Sequence, residues 1–245
     1  MPLEDKIIES GDCRLVCKNS IEDALVIEGS PNIGLIGNIV GWRVIEDLGL
    51  KEIGYIESKK LPPVAVLKEG KALHPFRMYG GDDIVLFLSD FLIPSDSVFD
   101  ITNIIVEWVE KNNSREVITI SSVLARGGAP KIVGAGNNDQ SLKRFEKLGV
   151  PTLKSGIIAG LAGTLLTKCK TKNIPASCIF AEVISPYPDP RAAANVIELL
   201  NKIADIEVDP QPLLDEAKKI ESRLKRLAEK VQKQQQKEPE LPIYL

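Results

Sequence analysis

The chain has little of what most chemical devices need. It holds one histidine, His74, in 245 residues. A single imidazole excludes His-rich metal sites, and a Ser-His-Asp arrangement would rest on one residue in an expected hairpin. The four cysteines, Cys13, Cys17, Cys169 and Cys178, form no Cys-x-x-Cys pair. Zinc-ribbon and thioredoxin-like readings are therefore weak, and buried reduced thiols acting as small hydrophobes are expected. Charge of one sign is also missing: the net charge is −3, so no global field draws nucleic acid or an acidic membrane. The longest apolar stretch, Ile157 to Leu166, is interrupted by Gly and Thr and is too short to span a bilayer. The start, Met1-Pro2-Leu3-Glu4-Asp5-Lys6, lacks the cationic flank and apolar core of a signal peptide, and a cytoplasmic protein is expected.

What is present is ordinary for a globular chain, with 44% hydrophobic and 27% charged residues. Strands are expected at Cys13 to Lys18, Ala24 to Glu28, Glu52 to Glu57, Asp83 to Ser89, Glu116 to Val123 and Ala176 to Ser185. The run Ile84-Val85-Leu86-Phe87-Leu88 is apolar without alternation, as in a strand buried on both faces. Helical periodicity covers Gly34 to about Leu48, Ser97 to Lys111, Asp139 to Leu148, Ile157 to Lys170 and Asp189 to about Asp205. Two short apolar runs between Leu61 and Tyr79, around Lys68-Glu69-Gly70-Lys71, suggest an inserted hairpin. Ala125 to Gly136 reads as a Gly-rich loop, and Pro151 to Lys154 as a brief strand. Strands alternating with helices argue for an α/β domain over residues 1–208: three layers, α/β/α, around a mostly parallel sheet.

Two glycine clusters invite an anion-binding reading. Gly29 and Gly34 have P-loop spacing, but Leu35-Ile36 stand where Lys and Ser/Thr would be needed. Gly34-x-x-Gly37-x-x-x-Gly41 does not match the dinucleotide fingerprint. A tight turn at Gly34, with Gly37 and Gly41 letting a helix approach the sheet, is the simpler expectation. Arg126-Gly127-Gly128 reads first as a plain turn, with anion binding through Arg and backbone amides as the alternative. Strand ends carry Glu28, Glu57, Ser89-Asp90, Ser121-Ser122 and Glu182. Glu28, Asn32, Gly34, Asp90 and Glu182 thus outline a ligand crevice, the basis of an alternative reading as a nucleotide- or nucleoside-binding enzyme.

The C-terminal 37 residues differ from the rest. Leu213, Ala217, Ile220, Leu224, Leu227 and Val231 are spaced 4, 3, 4, 3 and 4, an a/d seam on an otherwise charged helix. Packing on the chain's own domain and a seam between subunits both fit this pattern, and the second is the expectation over residues 209–236. Its charges pair at i, i+4, and no aromatic side chain is interleaved to stack a base, so nucleic acid is not expected. The final unit, residues 237–245, holds Pro239 and Pro242, which forbid helix, and ends in Ile243-Tyr244-Leu245. Apolar groups at a free end gain nothing in water, so a partner pocket is expected.

Ile243-Tyr244-Leu245 resembles the hydrophobic–tyrosine–any-residue tail by which activators enter pockets on the proteasome core particle. The body resembles archaeal members of the proteasome-assembling-chaperone family. The matching stretches are Gly29-Ser30-Pro31-Asn32-Ile33-Gly34, the Gly156 to Gly163 helix start, and Glu182 to Pro190. The resemblance implies a three-layer fold similar to nucleoside phosphorylases and homo-oligomers, and the short seam does not choose between dimer, tetramer and pentamer. It also implies a role in assembling or activating proteasomes through core α subunits, with no cofactor or catalytic residue to carry over. A scaffold for a paralogous subunit is a further alternative.

Overall fold

The computed structural model describes residues 6–18, 20–125 and 131–235, with side chains as far as Arg223. A nine-stranded sheet is assembled from β1 (Lys6–Ser10), β2 (Cys13–Cys17), β3 (Leu25–Glu28), β4 (Lys51–Ser58), β7 (Phe76–Gly80), β8 (Ile84–Ser89), β9 (Glu116–Leu124), β10 (Ile132–Gly136) and β11 (Ala176–Val183). Its order is β1-β2-β4-β7-β8-β3-β9-β11-β10. A separate hairpin, β5 (Val66–Lys68) and β6 (Lys71–Leu73), joins β4 to β7. The helices are α1 (Ile36–Asp47), α2 (Val98–Lys111), α3 (Asp139–Lys147), α4 (Gly160–Thr171), α5 (Pro190–Ala204) and α6 (Gln211–Gln235).

The centre of the sheet is parallel: β8, β3, β9 and β11 run the same way. Every residue of β3 and β8 is buried, which explains their lack of polar alternation. Helices cover both faces. Alternate strand residues divide accordingly: Val26, Val85, Val117 and Cys178 pack with α2 and α4. Ile27, Leu86, Ile118 and Ile179 pack with α1, α3 and α5. The fold is therefore three-layer α/β/α, and the four cysteines are buried in it as small apolar groups.

Several expectations need correction. The flanks of the sheet are antiparallel, with β1, β2, β4 and β7 on one side and β10 on the other. The stretch read as a Gly-rich loop contains β10, paired to β11 from Ile132 against Ala181 to Gly136 against Ser177. Its glycine at 134 is there because a Cβ would strike the Phe145 ring of α3. The β1 strand was not expected at all. The inserted hairpin is present, but the second half of its stretch, Phe76–Gly80, belongs to the main sheet. Helix α4 begins at Gly160 (φ +72), not at Ile157, which is 97% exposed. Thr152 makes an isolated bridge to Gly134 in place of a strand.

Candidate functional site

The parallel strands β8, β3, β9 and β11 end on one edge of the sheet, where the helices after them begin. Glu28 closes β3 between Phe87 of β8 and Thr119 of β9. It is 2% exposed. Its Oε1 accepts a hydrogen bond from the Ser30 amide at 2.7 Å. Burial pushes its carboxyl above the usual range, opposed by the hydrogen bonds from Ser30.

Asn32 braces the turn that follows. Its Nδ2 donates to the Ile120 carbonyl at 2.9 Å, while its Oδ1 accepts from the Ile36 amide at 3.1 Å and from Ser122 Oγ at 3.0 Å. The first amide of α1 is thus satisfied by the chain's own side chain, at the place where a P-loop would hold phosphate. Gly37 and Gly41 fit the expected role. A Cβ on Gly37 would strike the Ser30 carbonyl, and one on Gly41 would lie 2.6 Å from Leu88 Cδ1.

Gly34 and Leu35 are both left-handed, at φ +72 and +54. A leucine there costs on the order of 1 kcal/mol. The turn is lashed to the loop after β11: the Gly34 amide donates to the Pro186 carbonyl at 3.4 Å, and the Asp189 amide to the Gly34 carbonyl at 3.0 Å. Asp189 also caps α5, its Oδ1 accepting from the Ala192 amide at 3.0 Å. The Asp189-Pro190 start expected from sequence is the one observed.

The five crevice residues do not converge on one opening. Asn32 and Gly34 share the turn, and Glu28 lies enclosed behind it. Asp90 is ion-paired with Arg77, whose side chain is fully buried and also donates to Tyr79 Oη at 2.7 Å. Glu182 lines a separate cleft of about 230 Å³ with Asp189, Arg191 and Glu221. Each carboxylate there is engaged: Glu182 Oε2 accepts from the Lys131 amide at 3.1 Å, Asp189 caps α5, and Glu221 pairs with Arg191 at 2.8 Å. That ion pair raises the Arg191 pKa and lowers that of Glu221, in both cases first through their hydrogen bond. No cluster of three or more His, Cys, Asp or Glu that could hold a metal ion occurs among the described residues.

A larger groove, about 670 Å³, lies at the opposite end of the strands. Arg115, Lys143, Arg144 and Lys147 line it above Leu25 and Pro175. Arg144 is committed to Glu116 and Ser177, and Arg115 to Asp83. Sequence reading missed this groove, since its residues come from β3, α3, β9 and α5 and share no local motif.

Helix α6 starts as part of the domain. Leu213 joins the core under α5, Ala217 is 4% exposed, and Ile220 is half-buried. Asp209 is tied to α1, its amide donating to Asp47 Oδ2 at 2.7 Å. The first residues of the a/d seam are thus taken up by the chain itself, which corrects their assignment to an interface between subunits. The helix continues to Gln235. The side chains of Leu224, Leu227 and Val231, the cluster Arg126-Gly127-Gly128, and the ending Ile243, Tyr244 and Leu245 lie outside the described residues.

The sequence pattern of the PAC2 family matches residues 26–228. The chain is 32% identical over 229 residues to the uncharacterized protein MJ0106 of Methanocaldococcus jannaschii, covering 93% of this chain and 95% of the relative. Among solved structures, Pyrococcus furiosus PbaA, an archaeal homolog of proteasome-assembly chaperone, superposes with a TM-score of 0.84 at 33% identity, over 93% of this chain and 96% of its own. Pyrococcus furiosus PbaB, an archaeal proteasome activator, shares the fold with a TM-score of 0.76 at 22% identity, over 89% of this chain and 99% of its own.

Proposed function

Because the chain belongs to the PAC2 family, we propose that it is a non-enzymatic proteasome assembly chaperone or activator. It acts in the cytoplasm as a homo-oligomer and docks its C-terminal tails into the α-ring of the core particle. The observation that carries this reading is the likeness to PbaA over 93% of the chain, joined to the segment Ile243-Tyr244-Leu245, which offers apolar side chains beside a phenol. A pocket with an apolar wall and a hydrogen-bond partner for the phenol accepts that set. The absence of an open acid–base pair at the carboxyl edge, among the described residues, supports a binding role over a catalytic one.

Core particles captured on the immobilised protein provide the test. Wild-type chain retains them and stimulates peptide hydrolysis. Deletion of residues 243–245 abolishes both effects, and Tyr244→Ala weakens them. Retention that survives the deletion would place the contact elsewhere and overturn the tail-docking reading. Retention of another complex in place of core particles would favour a scaffold role.

A further inference from the structure

The groove of about 670 Å³ at the amino ends of the parallel strands has no part in the proposed function. Four cations and one carboxylate line it, a net +3 in a chain of net −3. Three of the cations, Lys143, Arg144 and Lys147, share one face of α3 through their 1 and 3 spacing. Arg115, just before β9, is the fourth.

Only part of this charge is neutralised within the protein. The two terminal nitrogens of Arg144 donate to Glu116, and one also reaches Ser177 Oγ at 3.3 Å. Glu116 and Ser177 are buried, so the groove's one carboxylate is taken up there. Arg115 pairs with Asp83, whose side chain is 61% exposed, and such a pair is weak. The side chains of Lys143 and Lys147 have no ion-pair or hydrogen-bond partner among the described residues. Like charges at i, i+4 destabilise a helix, so this pair is kept at a cost. The helix is also held in place. Asn137 donates to the Ile174 carbonyl at 2.8 Å and accepts from the Ala176 amide at 2.9 Å, and Phe145 is fully buried against Gly134. Pro175, Ile203 and Ala204 add a half-buried apolar wall.

We infer that this groove binds a small organic phosphate, its phosphate held by Lys143, Lys147 and Arg115 and its apolar body laid on Pro175, Ile203 and Ala204. The volume suits a small ligand, whose sites run to about 300–1,000 Å³. Lysine holds phosphate as a point charge, and three cations match a dianion better than a single carboxylate. The apolar wall rewards an organic body that inorganic phosphate lacks. The site also lies away from the tail. Helix α6 runs antiparallel to α5: Asn201, near the end of α5, bonds Val208 just before α6, while Glu221 of α6 reaches Arg191 at the start of α5. The groove includes the end of α5, so α6 leads away from it, and a bound phosphate does not compete with a docked tail for space.

This inference does not depend on the proposed function. Phenyl phosphate, inorganic phosphate and benzyl alcohol are titrated by calorimetry into the full chain, into Lys143→Gln/Lys147→Gln and into Lys218→Gln/Lys219→Gln. The last variant removes the same charge from the exposed face of α6. Both variants change exposed side chains only, and circular dichroism checks that the fold is kept. Wild type should bind phenyl phosphate about 10-fold or more tightly than inorganic phosphate, and benzyl alcohol not measurably. The α3 variant should lose about 10-fold or more in affinity for phenyl phosphate, and the α6 variant less than about 2-fold. Phenyl phosphate binding that survives deletion of residues 243–245, while core-particle capture is lost, supports a site separate from the tail. Absence of phenyl phosphate binding to wild type overturns the inference. Equal binding of the two phosphates, or equal loss in the two double variants, overturns it as well.

Discussion

At the scale of single residues, two kinds of constraint show themselves. Glu28 is a carboxyl sealed at the end of a central strand, and its folded pKa lies above the unfolded one because burial disfavours the charge. Its sign follows from linkage. The contribution to stability is fully present below the unfolded pKa, near the ordinary value of 4.5, and is lost as pH rises through the higher folded value. Glu28→Gln keeps an acceptor for the Ser30 amide and removes the ionisable group. Urea midpoints measured against pH should lose that decline, and at pH 7 the variant should be more stable than wild type. A pH profile identical to wild type would mean the carboxyl is solvated in the folded state. The glycines illustrate the other constraint. Gly37 has an ordinary helical backbone but no room, since a Cβ would press on the rigid Ser30 carbonyl; Gly49 has room, with nothing within 4 Å, but a φ of +62. Gly37→Ala should therefore cost about 1–3 kcal/mol through forced backbone movement. Gly49→Ala should cost only about 1 kcal/mol through its backbone angle. Both are read from thermal or denaturant unfolding, and the order of the two is the test.

At the scale of elements, legibility in the sequence followed burial. Strand β8 and helix α2 were readable because one is apolar throughout and the other repeats apolar residues along one face. The cap of α5 was readable because Asp-Pro is a local device. Strand β10 was not, because its sequence, Ile-Val-Gly-Ala-Gly, trades side chains for close approach to Phe145. Nor was β1, half polar and on the outermost edge, where one pairing partner suffices. The antiparallel flanks were hidden for a related reason: β7 reads as the end of a hairpin until tertiary pairing with β4 and β8 gives it a place. Strand ends point to polar residues but not to a shared opening, because sequence does not tell which carboxylates are already engaged, as Asp90 is by Arg77. Helix α6 is the instructive case. A 4, 3, 4 spacing is the same whether the stripe meets its own domain or another subunit, and here Leu213 meets its own. Leu213→Ala should therefore lower stability by about 2–5 kcal/mol, as a core truncation does. The loss should not depend on protein concentration; a concentration-dependent loss would return Leu213 to an interface between subunits.

At the scale of the whole molecule, the proposed function turns on multiplicity. A single tail ending in Ile243-Tyr244-Leu245 offers few contacts to set against the cost of association. Two or more tails held on one assembly change the arithmetic. Once the first is seated, the second searches at the effective concentration fixed by its linker, and overall affinity rises by about 10²–10⁴ without any new contact. Multiplicity is testable on the tails themselves. Assemblies in which chain lacking residues 243–245 is mixed in excess with wild type carry fewer tails, and they should bind core particles about 10²–10⁴ more weakly than wild type alone. The loss should appear mainly as faster dissociation in surface plasmon resonance, since the first encounter is unchanged. If the mixed assemblies dissociate as slowly as wild type, the tails act singly.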